Sequence, residues 1–190
     1  MAVDHAVPAA TAARGLPPDG FADPFTRRLL GRAGSTTDAL QARLGVPLRV
    51  RVTAQEVTDP GPLDARLRTQ LRLPPGEACL VRRSELRTGR GRLVSRNLVV
   101  GRLPGRPALA AAVTGRTVPM GAAAAVRAAG QRRVPLLVEL AWWPGAHGPY
   151  RAVRRGYLLR LDEEAPLLVT EEFDPAVVPA RLTATGTWAA

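Results

Sequence analysis

Residues 150–173, YRAVRRGYLLRLDEEAPLLVTEEF, contain two apolar runs on either side of one acidic turn. Alternating runs of this length joined by a short polar turn near residues 162–165 form an antiparallel hairpin, and a hairpin needs a sheet to bury one of its faces. The last run poses a question of its own. On a two-residue period Leu167, Val169 and Glu171 share one face, while Leu168, Thr170 and Glu172 share the other. One carboxylate therefore follows an apolar row into the interior, where it is costly unless paired or put to use.

The same pattern recurs upstream. LRVRVTAQEV at 48–57 alternates Leu48, Val50 and Val52 against Arg49, Arg51 and Thr53, the signature of a half-buried strand. ACLVRRSELRTGRGRLVSRNLVV at 78–100 reads as a hairpin turning at 88–91, and VPLLVELAWW at 134–143 as a further strand. Helical spacing is confined to shorter pieces. Asp23-Pro24 can open a helix carrying Phe25, Leu29 and Leu30, and Ser35 with Asp38 can open a second that ends at Gly45. One short helix is expected within 58–76, and two more at 106–115 and 120–130. About six strands in neighbouring hairpins, with helices packed on one side, define an α+β single domain. Its expected limits are residues 21–180, after a disordered Ala/Pro/Gly-rich leader at 1–20 and before a loose tail at 181–190.

All of the 27 basic residues are arginine, and the net charge is +11. The charge favours an anionic partner of some kind, but with aromatics at only 4% of the chain the arginines lack the stacking partners that single-stranded nucleic acid would require. Neither nucleic acid nor membrane is expected, and the absence of a long apolar run or signal pattern suggests a soluble, cytoplasmic protein, for which a monomer is the default expectation. Metal binding is not expected, since His5, His147 and Cys79 are scattered. His147 reads as a loop residue and Cys79 as a small buried apolar side chain.

Chemistry is therefore concentrated in arginine and glutamate on strands. Arg82, Ser84 and Leu86 share one strand face, and Arg96 shares a face with Val94 and Leu98. A structural Arg-Glu pair or a solvated sheet face explains this spacing as simply as a site does.

Taken in order, Asp23-Pro24, GSTT at 34–37, VRRSEL at 81–86, VSRNLVV at 94–100, VPMG at 118–121, Arg154-Arg155 and APLLVTEEF at 165–173 resemble the chorismate pyruvate-lyases. The resemblance runs over roughly residues 23–179 and implies the chorismate lyase-like fold, shared with regulator effector domains. It implies cofactor-independent release of pyruvate from chorismate to give 4-hydroxybenzoate. Glu171 would be the catalytic carboxylate, Arg82 the anchor of the ring carboxylate and Arg96 a second charge partner. Thr36 and Met120 would line the same pocket. The acidic turn Asp162-Glu163-Glu164 departs from the family's glycine-containing turn. The alternative is a domain of the same fold that binds an aromatic acid without turning it over.

Overall fold

The computed structural model describes residues 15–183 apart from 32–33, 60–62, 64 and 146–147. Six strands are β1 Leu48–Thr58, β2 Cys79–Thr88, β3 Leu93–Gly101, β4 Gln131–Trp143, β5 Tyr150–Leu161 and β6 Leu167–Phe173. They form one antiparallel sheet in the order β1-β2-β3-β6-β5-β4. Four of the five neighbouring pairs join strands consecutive in the chain. The long-range pairing is β3 with β6, which places the two central strands side by side although more than sixty residues separate them in the chain.

The helices are α1 Pro24–Gly31, α2 Thr36–Leu44, α3 Ala65–Leu71, α4 Pro107–Thr114 and α5 Ala124–Ala128. Their ends follow the capping chemistry of the sequence. The Asp23 carboxylate accepts from the Thr26 amide at 2.7 Å, and the Ser35 hydroxyl accepts from the Asp38 amide at 3.2 Å. Gly45 closes α2 in the left-handed region at φ 67°, its amide donating to Gln41 O.

Four helices lie on one sheet face. α1 and α2 pack on Leu48, Leu86, Val153 and Phe173, and α4 and α5 on Leu80, Val99, Tyr157 and Val169. α3 differs from the one-sided expectation. Its Leu67 and Leu71 bury against Val81, Leu98, Val100 and Leu168, which the register places on the opposite face. The reason is visible in the strands: β2, β3 and β6 are apolar on both faces at that end, so each face needs a cover.

Two residues from the expected leader and tail, Leu16 and Leu182, make contacts with the rest of the chain. The Leu16 amide donates to Val138 O at 2.7 Å on the outer edge of β4, and Leu182 bridges Phe21. Residues 1–14, with His5, and 184–190 lie outside the described residues, as does His147. The acidic turn is a clamp. Asp162 accepts from the Gly130 amide and from Arg106, and the Glu164 carboxylate accepts from the amides of Gly105 and Arg106 at 2.9 and 3.0 Å, next to the start of α4. Cys79 is buried in β2, where burial pushes its thiol pKa up. Among the described residues no helix is long and apolar enough to cross a membrane.

The Gly45→Ala variant forces a Cβ into the left-handed region and is expected to lose about 1 kcal/mol of stability, read as a lower denaturant midpoint at unchanged slope.

Candidate functional site

The site is made by two neighbouring rows across the helix-covered sheet face. Register aligns Gln55, Arg82, Val99, Val169, Tyr157 and Pro135 in one row. The next row runs Val52, Ser84, Asn97, Glu171, Arg155 and Val138. The second is polar through its centre although the row beyond it holds Leu86, Phe173 and Val153.

Both glutamates of the closing strand are 7% exposed, on opposite faces. Glu171 points under the helices. Its Oε2 accepts from Arg155 Nε at 2.7 Å and from the Thr36 hydroxyl at 3.2 Å. Arg155, 4% exposed, also donates to Leu29 O at 2.6 Å and to the Thr36 hydroxyl. One guanidinium thus joins β6, the interior of α1 and the first residue of α2. Burial opposes its charge, but Glu171 beside it prevails and raises its pKa. Glu172, on the other face, is bonded to Arg154 at 3.0 Å, and Arg154 to Glu139 at 2.9 Å.

Arg82 is 2% exposed and finds only neutral acceptors: Gln55 Oε1 at 3.2 Å, Gly115 O at 2.7 Å, and Val113 O. It therefore caps the C-terminal end of α4. Burial, with Arg116 nearby, lowers its pKa, and it has no carboxylate partner among the described residues. Arg133 on β4 donates to Gly34 O and lies 4.9 Å from the Tyr157 ring centroid, with Arg155 5.3 Å from the same ring. Its Nε is buried without a hydrogen-bond partner.

These groups enclose a cavity of about 60 Å³, lined by Thr36, Arg82, Asn97, Arg133 and Glu171 and roofed by residues 119–121, including Met120. A larger hollow of about 670 Å³ lies between α1 and α2, lined by Phe25, Leu29, Ala39 and Arg43 among others. Its two charged lining residues, Arg28 and Arg43, are exposed, whereas the smaller cavity gathers buried charged groups, so the smaller cavity is where chemistry converges. Of the sequence candidates, Glu171, Arg82, Thr36 and Met120 meet there. Arg96 does not. Its strand position faces Glu172, on the sheet's other side, and its guanidinium lies 5.1 Å over Trp143. The odd-numbered spacing between Arg82 and the strand pairing of residue 96 settles this: Arg82 opposes Val99, so residues 97 and 99, and not 96, share its face. Arg155, Tyr157 and Arg133 were missed, although Arg155 carries the same signal that marked Glu171, a charge in the apolar row of Val153 and Tyr157. No group of three or more metal-ligating side chains occurs among the described residues.

No protein-family model matches the chain, and no curated protein does. Among solved structures it is similar to PhnF from Mycobacterium smegmatis, with TM-score 0.52 and 19% identity over 84% of this chain and 70% of that one. The effector domain of the same PhnF gives 0.48 and 21%, over 83% and 96%. The ligand-binding domain of a putative GntR-family transcriptional regulator from Bordetella bronchiseptica gives 0.48 and 11%, over 76% and 97%. At such identities the likeness establishes the fold. The expectation of a carbon-oxygen lyase is corrected with it: the structure that shares this fold over most of the chain is PhnF, not a lyase. The geometry agrees: the carboxylate expected to act as an acid is held by Arg155 and Thr36.

Arg155→Met leaves Glu171 buried without its partner and is expected to lose about 3–5 kcal/mol in urea denaturation, with Arg155→Met/Glu171→Leu losing much less than the two single variants summed. A second expectation concerns alkaline pH. Burial first, and then Glu171, raise the Tyr157 phenol well above the ordinary value of about 10. The unfolded chain ionises first, so this contribution is complete below about pH 10 and is lost as pH rises further. Tyr157→Phe is expected to flatten that decline in a series of denaturation curves.

Proposed function

We propose that this chain is a non-catalytic, cytoplasmic effector-type domain that binds one small anionic molecule between the sheet and the roof at 119–121. The observation that carries this reading is the imbalance of buried charge. Arg82 and Arg133 line the cavity without a carboxylate partner among the described residues, and the one carboxylate there, Glu171, is already matched by Arg155. A desolvated guanidinium favours an anion strongly, and its planar fork suits a carboxylate or phosphate.

Arg133 supplies the first contact through its unpartnered Nε, and the Thr36 hydroxyl and Asn97 amide orient the rest of the ligand. Arg82 sets the local potential while holding α4. Glu171 positions Thr36 and Arg155, and Met120 forms the apolar lid. Anything larger than a few heavy atoms displaces the roof, whose backbone hydrogen bonds to Ala122 and Ala123 are internal to it. Support for the effector reading comes from the fold shared with PhnF. Chorismate and 4-hydroxybenzoate belong to the candidate ligands as molecules bound and not converted.

The test is calorimetric titration and thermal shift with 4-hydroxybenzoate, chorismate, short aliphatic carboxylates, phosphate monoesters and the neutral amide of each acid. At least one anion is expected to bind and raise the melting temperature while its amide does not. Arg133→Gln is expected to weaken that binding about 10- to 100-fold, the range for a lost hydrogen bond to a charged group. Equal binding of acid and amide, or no binding by any anion, overturns the proposal.

A further inference from the structure

β1 is an edge strand of eleven residues, and its outward backbone groups meet no described segment. Such an edge is a template for another strand unless it is blunted. β1 carries one irregularity, a bulge at Thr53, between the pairs Val52 with Ser84 and Ala54 with Arg83. Bulges often blunt edges, but here the bulge also changes which residues share a face. Arg51 and Glu56 are five apart and would lie on opposite faces of a regular strand. With the extra residue between them they oppose Glu85 and Val81, which share the face away from α1 and α2. By the same count Val50 and Val57 oppose Leu86 and Leu80 on the helix-covered face.

This arrangement is self-complementary. When a second β1 is laid antiparallel along the edge about a twofold axis between Thr53 and Ala54, Arg51 of each copy faces Glu56 of the other. Val50 then faces Val57, and every pair lies on one face. A register moved by a single residue destroys that match, because it sets faces against each other. Arg51 and Glu56 make no ion pair among the described residues, the Glu85 carboxylate opposite Arg51 being taken by Arg87 at 2.8 Å. Val57 is 59% exposed, the largest value among the exposed large hydrophobic residues.

We infer that the free edge of β1 joins two copies of this chain into a twofold dimer with one continuous twelve-stranded sheet, through reciprocal Arg51–Glu56 and Val50–Val57 pairs. This replaces the monomer expected from the sequence and is independent of the ligand proposal. Backbone hydrogen bonds along the edge supply most of the attachment, and the four side-chain pairs select the register. The contact is isologous, so it closes at two copies and leaves β4 as the outer edge, itself covered in part by Leu16.

Sedimentation equilibrium of the full chain over a range of concentrations tests it. The wild type is expected to be dimeric. Glu56→Arg places like charges at both contacts and is expected to weaken the dimer about tenfold or more, as is Arg51→Glu, which serves should the first variant fail to fold. The exchange Arg51→Glu/Glu56→Arg restores both pairs and is expected to return the wild-type dimerisation constant. A monomeric wild type, a dimer indifferent to the single variants, or an exchange that does not restore association each overturns the inference.

Discussion

The ion pair between Arg155 and Glu171 is the junction on which the helix-covered half of the molecule depends. Three separate elements end on one guanidinium: the carboxylate of β6, the Leu29 carbonyl of α1, and the Thr36 hydroxyl at the start of α2. A buried ion pair is a poor source of net stability, because desolvation offsets most of the attraction. Its value is directional. Apolar packing of Leu29, Leu40 and Phe173 would accept many small shifts of α1 and α2, whereas the hydrogen bonds of Arg155 accept one arrangement.

Arg82 does for α4 what Arg155 does for α1 and α2, but with carbonyls in place of a carboxylate. That difference creates the candidate site. Where arginine meets glutamate the charge is matched and the side chains are committed. Where arginine meets only the end of a helix, positive potential is left facing a cavity, and Arg133 adds to it from β4. The sheet thus separates a bolt from a candidate anion site within two adjacent rows. The lyase expectation failed at this distinction. It treated a buried glutamate as a group with work to do, when the cross-strand neighbour of that glutamate was an arginine that satisfies it.

Much of the architecture was legible because it is local. Alternation marks β1, apolar runs bounded by turn residues mark the other strands, and Ser35, Gly45 and Asp23 mark helix ends through bonds that span only a few residues. The residues of the site on a single strand were legible for the same reason: the face of Glu171 and the face of Arg82 follow from counting by two. Arg96 was misplaced because counting by two gives a residue's neighbours on its own strand and not the face it shares with another strand. That relation needs the pairing of β3 with β2 and β6.

The sequence by itself determined the class of fold, the hairpins, the caps and the presence of charged residues in apolar rows, since each is dictated by backbone periodicity or by contacts a few residues apart. Only the tertiary structure decided which charges are neighbours. Arg155 meets Glu171 and Thr36 across separations of 16 and 119 residues, and Arg82 reaches the end of α4 across 31 and 33. It also decided that α3 covers the second face and that a bulge turns Arg51 and Glu56 to the same side. The physical reason is that register between strands is set by the packing of the whole sheet against its helices, and a displacement of one residue, invisible in any local pattern, reverses the face of every side chain.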